Sequence, residues 1–178
     1  YYMKSLKNYI LDKLVITSFD HSGFVRHSKS FNDYCDLREE KYSNTLSSKK
    51  ALVTGGSSGI GESALSMLSF LGVNVDFVGR NKDKGAKLES KYPNSQFKSL
   101  DMGNWSGIEE LASSCEAYDY IVLNAGGMPD KKVLNEEGVE LQCSSQLIGH
   151  YLLLQSLKSK GKINSDTRIV WVSSGGMY

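Results

Sequence analysis

Thr54-Gly55-Gly56-Ser57-Ser58-Gly59-Ile60-Gly61 is the stretch that decides how this chain folds. A β-branched run at 50–54 leads into it, and an apolar-periodic segment at 60–71 follows. A glycine-rich turn between a strand and a helix has a specific use. The glycines let the backbone turn sharply and approach an anion with no Cβ in the way, while the helix start offers unpaired N–H groups and a partial positive charge. This is the setting for a pyrophosphate, and Ser57 and Ser58 add hydroxyl donors. The bland alternative is an ordinary glycine-rich turn.

Outward from the loop, short β-branched runs alternate with longer helix-period segments. Strands are expected at 50–54, 73–78, 96–100, 120–124 and 168–172. Helices are expected near 60–71, 82–92, 106–115 and 140–160, the last as one long helix. Such alternation builds βαβ units with right-handed crossovers. The fold class is therefore α/β, a Rossmann-type doubly wound parallel sheet, with 49–178 as its nucleotide-binding domain. Residues 1–48 form an N-terminal extension, in which Met3, Leu6, Ile10 and Leu14 make an amphipathic helical stripe. That stripe suits packing on the domain or on a protein partner. The opening Tyr1-Tyr2-Met3 and the stop at Tyr178 read as part of a longer protein, with the sheet C-terminally incomplete and its fifth strand an open edge.

Composition narrows the function. With 178 residues, 40% of them hydrophobic, the chain buries one sizeable core, and a formal net charge of +1 with dispersed lysines gives no footprint for nucleic acid. Three widely spaced cysteines, Cys35, Cys115 and Cys143, fit neither a disulfide framework nor a metal site. No apolar run reaches the roughly 20 residues of a membrane span, and no secretory h-region is present. These features imply reduced thiols in an intracellular setting, cytoplasmic or organellar, the mitochondrion included.

Several strand ends carry polar residues, and in open α/β sheets ligands bind beyond the carboxyl ends of the strands. Arg80-Asn81 follows the second strand, Asp101-Met102 the third, Asn124-Ala125-Gly126 the fourth and Ser173-Ser174 the fifth. Arg80 stands where a guanidinium can pair with a 2′-phosphate, and Gly79 leaves no acid there to hold ribose hydroxyls, which favours NADP(H). Each residue also has a plainer reading: Arg80 as a solvated turn residue, Asp101 as a helix N-cap, Asn124 as a turn brace.

These stations, in this order, resemble the short-chain dehydrogenase/reductase family over residues 49–178, and the leader with Gly23-Phe24 and Phe31, the stretch 124–128 and the run 168–177 look closest to its member-twelve-like branch. The resemblance implies strand order 3-2-1-4-5 and an NADP-dependent oxidoreductase acting on an alcohol or carbonyl. It implies that Thr54, Gly55, Ser57, Ser58, Gly59, Ile60 and Gly61 serve the pyrophosphate. It further implies that Asp101 and the Met102 amide hold adenine, that Asn124-Ala125-Gly126 borders the cofactor, and that Ser174 is catalytic. Two departures stand out. Leu123 replaces the first Asn of the family's Asn-Asn-Ala-Gly, and Gln146 replaces an Asn that supports a proton-relay water. The family's Tyr-x-x-x-Lys is expected beyond Tyr178, so this chain alone is expected to be inactive; the literal match at Tyr9 and Lys13 precedes the first strand and is read as chance. His150 is read as a packing residue, and Trp105 and Trp171 as core or helix-packing residues. The rival reading is a catalytically silent nucleotide-binding subunit; a methyltransferase or nucleotide-sugar enzyme would leave Asn124-Ala125-Gly126 and Ser173-Ser174 unexplained.

Overall fold

A computed structural model describes residues 37–173 together with Val25 and Ser28. The leader stripe, Tyr9, Lys13, Cys35 and Ser174 lie outside the described residues. Packing divides the chain after Leu37, so residues 38–48 go with the sheet in the unit Arg38–Tyr178. There the Asn44 and Leu46 N–H groups donate to the carbonyls of Phe70 and Leu71.

The elements of this unit follow the expected alternation. They are β1 (Lys50–Thr54), α1 (Gly59–Phe70), β2 (Asn74–Gly79), α2 (Lys82–Lys91), β3 (Ser95–Ser99), α3 (Trp105–Ser114), β4 (Tyr120–Leu123), a π-helical turn (Cys143–Ile148), α4 (Gly149–Ser159) and β5 (Arg168–Trp171). The strands form one five-stranded sheet in the order β3-β2-β1-β4-β5, every pair parallel. This is the doubly wound order expected from the sequence.

Strand residues alternate between two cores because successive side chains point to opposite faces. From β1, Ala51 and Val53 join Leu65, Val75, Phe77 and Leu88 on the face covered by α1 and α2. Leu52 joins Ile108, Leu111, Ile121, Leu153 and Leu157 on the face covered by α3 and α4. With both faces covered, β1 and β2 read as near-continuous apolar runs. Each fully buried Leu or Ile contributes about 1.5–3 kcal/mol. At the sheet's edge β5 pairs only with β4 among the described residues, and Ile169, Val170 and Trp171 are all exposed. Trp171 is thus a helix-packing rather than a core residue, its ring against His150, whereas Trp105 is half-buried against the α3/α4 core.

Residues 140–160 form the long helix expected, helical from 141 to 159, with a π-helical turn inside it. The Glu140 carboxylate accepts the Cys143 N–H at 2.9 Å, the turn Cys143–Ile148 is π-helical, and α4 begins at Gly149. The Gly149 N–H reaches back five residues to the Ser144 carbonyl. A Cβ at Gly149 would press into the Met102 carbonyl oxygen, so only glycine lets the helix lie this close to the connection after β3. A one-residue widening leaves the apolar periodicity on both sides intact, which is why the sequence does not display it. Among the described residues no helix is long and apolar enough to cross a membrane, and no cluster of His, Cys, Asp and Glu could hold a metal.

Candidate functional site

A cleft of about 520 Å³ opens at the carboxyl ends of β1, β2 and β4. Gly55, Ser57, Ser58, Gly59 and Ile60 line one part of it, and Gly79, Arg80, Asp101 and Met102 another. Asn124, Ala125 and Gly126 line it after β4, with Met128 and Pro129 beyond them. Leu141, Gln142 and Ser145 complete it from the helical segment.

The start of α1 differs from the starts of its neighbours. Asn81 caps α2 by accepting the Lys84 N–H at 2.9 Å, and Asn104 caps α3 by accepting the Gly107 N–H at 3.1 Å. Ser58, the N-cap of α1, makes no side-chain cap bond. The first amides of α1 therefore keep their capacity to bind an anion where the helix dipole favours one. Beneath the loop Gly61 is buried, and a Cβ there would meet the Gly55 carbonyl oxygen and the Asn124 amide nitrogen. That contact holds the loop flat, with Ser57 and Ser58 at its rim. A diphosphate fits these residues, which offer it open N–H and hydroxyl donors.

Arg80 reaches the cleft wall with its side chain 72% exposed, its Nη1 lying 3.7 Å from the Asp101 carboxylate. The other Asp101 oxygen accepts the Gly103 N–H at 2.8 Å. Asn104, not Asp101, caps α3, so the plainer reading of Asp101 as a cap does not hold. Asn81 does not line the cleft, because its side-chain oxygen is committed to α2.

Thr54 and Gly61 also stand behind the cleft and shape it. The Thr54 hydroxyl is fully buried and accepts the N–H groups of Asn124 at 2.9 Å and Ala125 at 3.0 Å. His150 Nε2 lies 2.9 Å from the same hydroxyl, and its Nδ1 lies 2.9 Å from the Gln146 carbonyl oxygen. Burial pushes the His150 pKa below its ordinary value, against a smaller upward pull from that carbonyl. Asn124 donates its side-chain amide to the carbonyls of Thr54 and Gly55, so it braces the turn and borders the cleft at once. Gln146 donates its amide to the Gly127 carbonyl at 2.7 Å and packs on Gly126. Its amide thus ties down the loop after β4.

Sequence reasoning missed Leu141, Gln142 and Ser145 as lining residues, because no local signal records where the start of the long helix meets the sheet. It also missed the link from His150 to Thr54, 96 residues apart. A buried histidine on the inner face of a helix was the only available signal.

The profile of the short chain dehydrogenase family matches residues 49–177. The chain belongs to this family. An uncharacterized oxidoreductase of Schizosaccharomyces pombe is 29% identical over 98% of the chain and 54% of its own length. Dehydrogenase/reductase SDR family member 12 of Bos taurus is 30% identical over 91% of the chain and 52% of its own length. This matches the branch whose likeness the sequence carries. A crystal structure of an uncharacterized protein from Mycobacterium paratuberculosis superposes with a TM-score of 0.68 at 22% identity, over 78% of this chain and 51% of that one, which shows the shared fold. The chain spans about half the length of these curated relatives. The glycine loop, the Asp101 station and the Asn124 station all converge on the cleft.

Proposed function

We propose that this chain is the NADP(H)-binding portion of an oxidoreductase that interconverts alcohols and carbonyls. The observation that carries the reading is the wall of the cleft after β2, where Arg80 follows Gly79 and no carboxylate stands at the Gly79 position. A guanidinium there can pair with a 2′-phosphate through two parallel N–H bonds, whereas an acid would select the free ribose hydroxyl. Asp101, 3.7 Å away, steadies the exposed guanidinium at the rim.

The rest of the cleft divides the cofactor among the residues present. The α1 amides, Ser57 and Ser58 take the pyrophosphate; Asp101 and the Met102 amide take adenine; Asn124, Ala125 and Gly126 border the nicotinamide half. When bound, the nicotinamide supplies or accepts the hydride, and Ser174 orients the substrate oxygen. A serine hydroxyl is too weak an acid and base near neutrality to exchange the substrate's proton alone. Residues 1–178 by themselves should therefore bind NADPH without turning over aldehydes or ketones.

A charge-assisted contact of about 1.5–3 kcal/mol corresponds to a preference for NADPH over NADH of roughly ten- to a hundredfold. Calorimetric titration of residues 1–178 with each nucleotide, repeated on Arg80→Asp, tests this. Equal affinities in the wild type, or a preference that survives the substitution, would overturn the cofactor assignment.

A further inference from the structure

Thr54 has more partners than a hydroxyl can serve in an arbitrary way. Its oxygen has two lone pairs and one hydrogen. The Asn124 and Ala125 amides can only donate, so together they occupy both lone pairs. The hydroxyl hydrogen must then point elsewhere. The Val122 carbonyl, at 3.5 Å, is at the outer limit, while His150 Nε2 lies at 2.9 Å. The ring nitrogen can take that hydrogen only if it carries none itself. At the other side of the ring the Gln146 carbonyl can only accept, so Nδ1 carries the proton. One neutral tautomer, protonated at Nδ1, satisfies every partner.

We propose, on the basis of the nucleotide-binding reading above, that His150 is a positioning residue of the cofactor site: by accepting the Thr54 hydroxyl hydrogen it turns both Thr54 lone pairs onto the Asn124 and Ala125 amides and so fixes the wall of the cleft after β4. His150 does not line the cleft and acts only through Thr54.

The surroundings keep the ring in this state. Around it β1 places the Thr54 hydroxyl, the π-helical turn the Gln146 carbonyl, and β5 the Trp171 indole, edge to face at 5.7 Å. Among the described residues, burial and the Gln146 carbonyl are what act on its ionisation. The charged groups joining α3 to α4, Glu109 and Lys160, pair with each other ten residues further along, roughly 15 Å away at the helical rise. Protonation would place a second N–H donor at Nε2 against an oxygen whose lone pairs are already taken. One of the Asn124 or Ala125 amides would then lose its acceptor.

Three measurements on residues 1–178 test the proposal. Nitrogen-15 spectra of the wild-type ring should show a protonated Nδ1 and an unprotonated Nε2. His150→Gln, which keeps an acceptor near the Nε2 position, should hold NADPH affinity within about threefold, whereas His150→Leu should lose roughly five- to tenfold and accelerate hydrogen exchange at the Asn124 and Ala125 amides. Because burial lowers the folded pKa, the unfolded chain takes the proton first. The stability contributed by neutral His150 should be present above the ordinary value of 6.5 and be lost as pH falls through the folded value, an acid slope that His150→Gln removes. A ring protonated at Nε2 would overturn the proposal even if no variant folds. So would a His150→Leu protein with wild-type exchange at the two amides, or a His150→Gln protein as impaired as His150→Leu. Wild-type protein that shows the expected tautomer and amide protection yet fails to bind NADPH would refute the nucleotide reading instead.

Discussion

The two ends of the sheet treat their polar residues in opposite ways. At the amino end Asp76 is buried and accepts the Tyr118 hydroxyl at 2.7 Å, with the Lys50 ammonium 3.6 Å away. Lys50 in turn holds Glu116 at 2.7 Å. Burial and the adjacent Asp76 carboxylate drive the Tyr118 phenol far above its ordinary pKa, so it stays a hydrogen donor. For Lys50, burial works against the charge but is outweighed by Glu116 and Asp76, and its pKa is raised. Donors and acceptors there are matched within the chain. At the carboxyl end Thr54 is just as buried and fully matched, yet the first amides of α1 are left without a side-chain cap, and Arg80 stands mostly in solvent. Matched polar groups at one end hold the fold together; unspent donors at the other are what a phosphate-bearing ligand would take up. Burial by itself therefore does not separate the two ends, whereas unspent donors around a cleft do.

Substitutions that separate the two ends sharpen this contrast. The largest effect is expected from Gly61→Val, whose Cβ would displace the Gly55 carbonyl and the Asn124 amide. NADPH affinity should fall by more than roughly a hundredfold, with overpacking costing about 1–3 kcal/mol of stability. Titration and urea unfolding on one preparation read both. A Gly61→Val protein that binds like wild type would show that the loop's close approach is dispensable.

Tyr118→Phe should do the reverse. Leaving the buried Asp76 carboxylate short of a donor costs about 1.5–3 kcal/mol in urea unfolding, and NADPH affinity should stay unchanged. A large loss of affinity at constant stability would break the division between the two ends. Asn81→Ala is the smallest and the most discriminating. If Asn81 only caps α2, the substitution costs about 1 kcal/mol in the same unfolding measurement and leaves nucleotide affinity untouched. A selective loss of NADPH binding would instead make Asn81 a direct contact.

The elements were legible because their signals are local. The βα alternation and the glycine turn lie within a few residues, and strand boundaries differ from expectation by at most one position. The expected long helix over 140–160 forms, but the π-helical turn within it and the close approach of Gly149 to Met102 are features that nothing adjacent in sequence records. Asp101 was open to two readings until Asn104 emerged as the α3 cap.

The sequence by itself determined the fold class and, through its family likeness, the strand order, because periodicity and turn chemistry are written into neighbouring residues. Only the tertiary structure decided which of those residues touch the cleft and which stand behind it. Thr54, Asn124 and His150 are brought together from β1, the end of β4 and α4, and the orientation of one hydroxyl depends on all three. Hydrogen-bond geometry of that kind is set by distances of 2.9–3.0 Å across the packed sheet, and linear order carries no information at that scale.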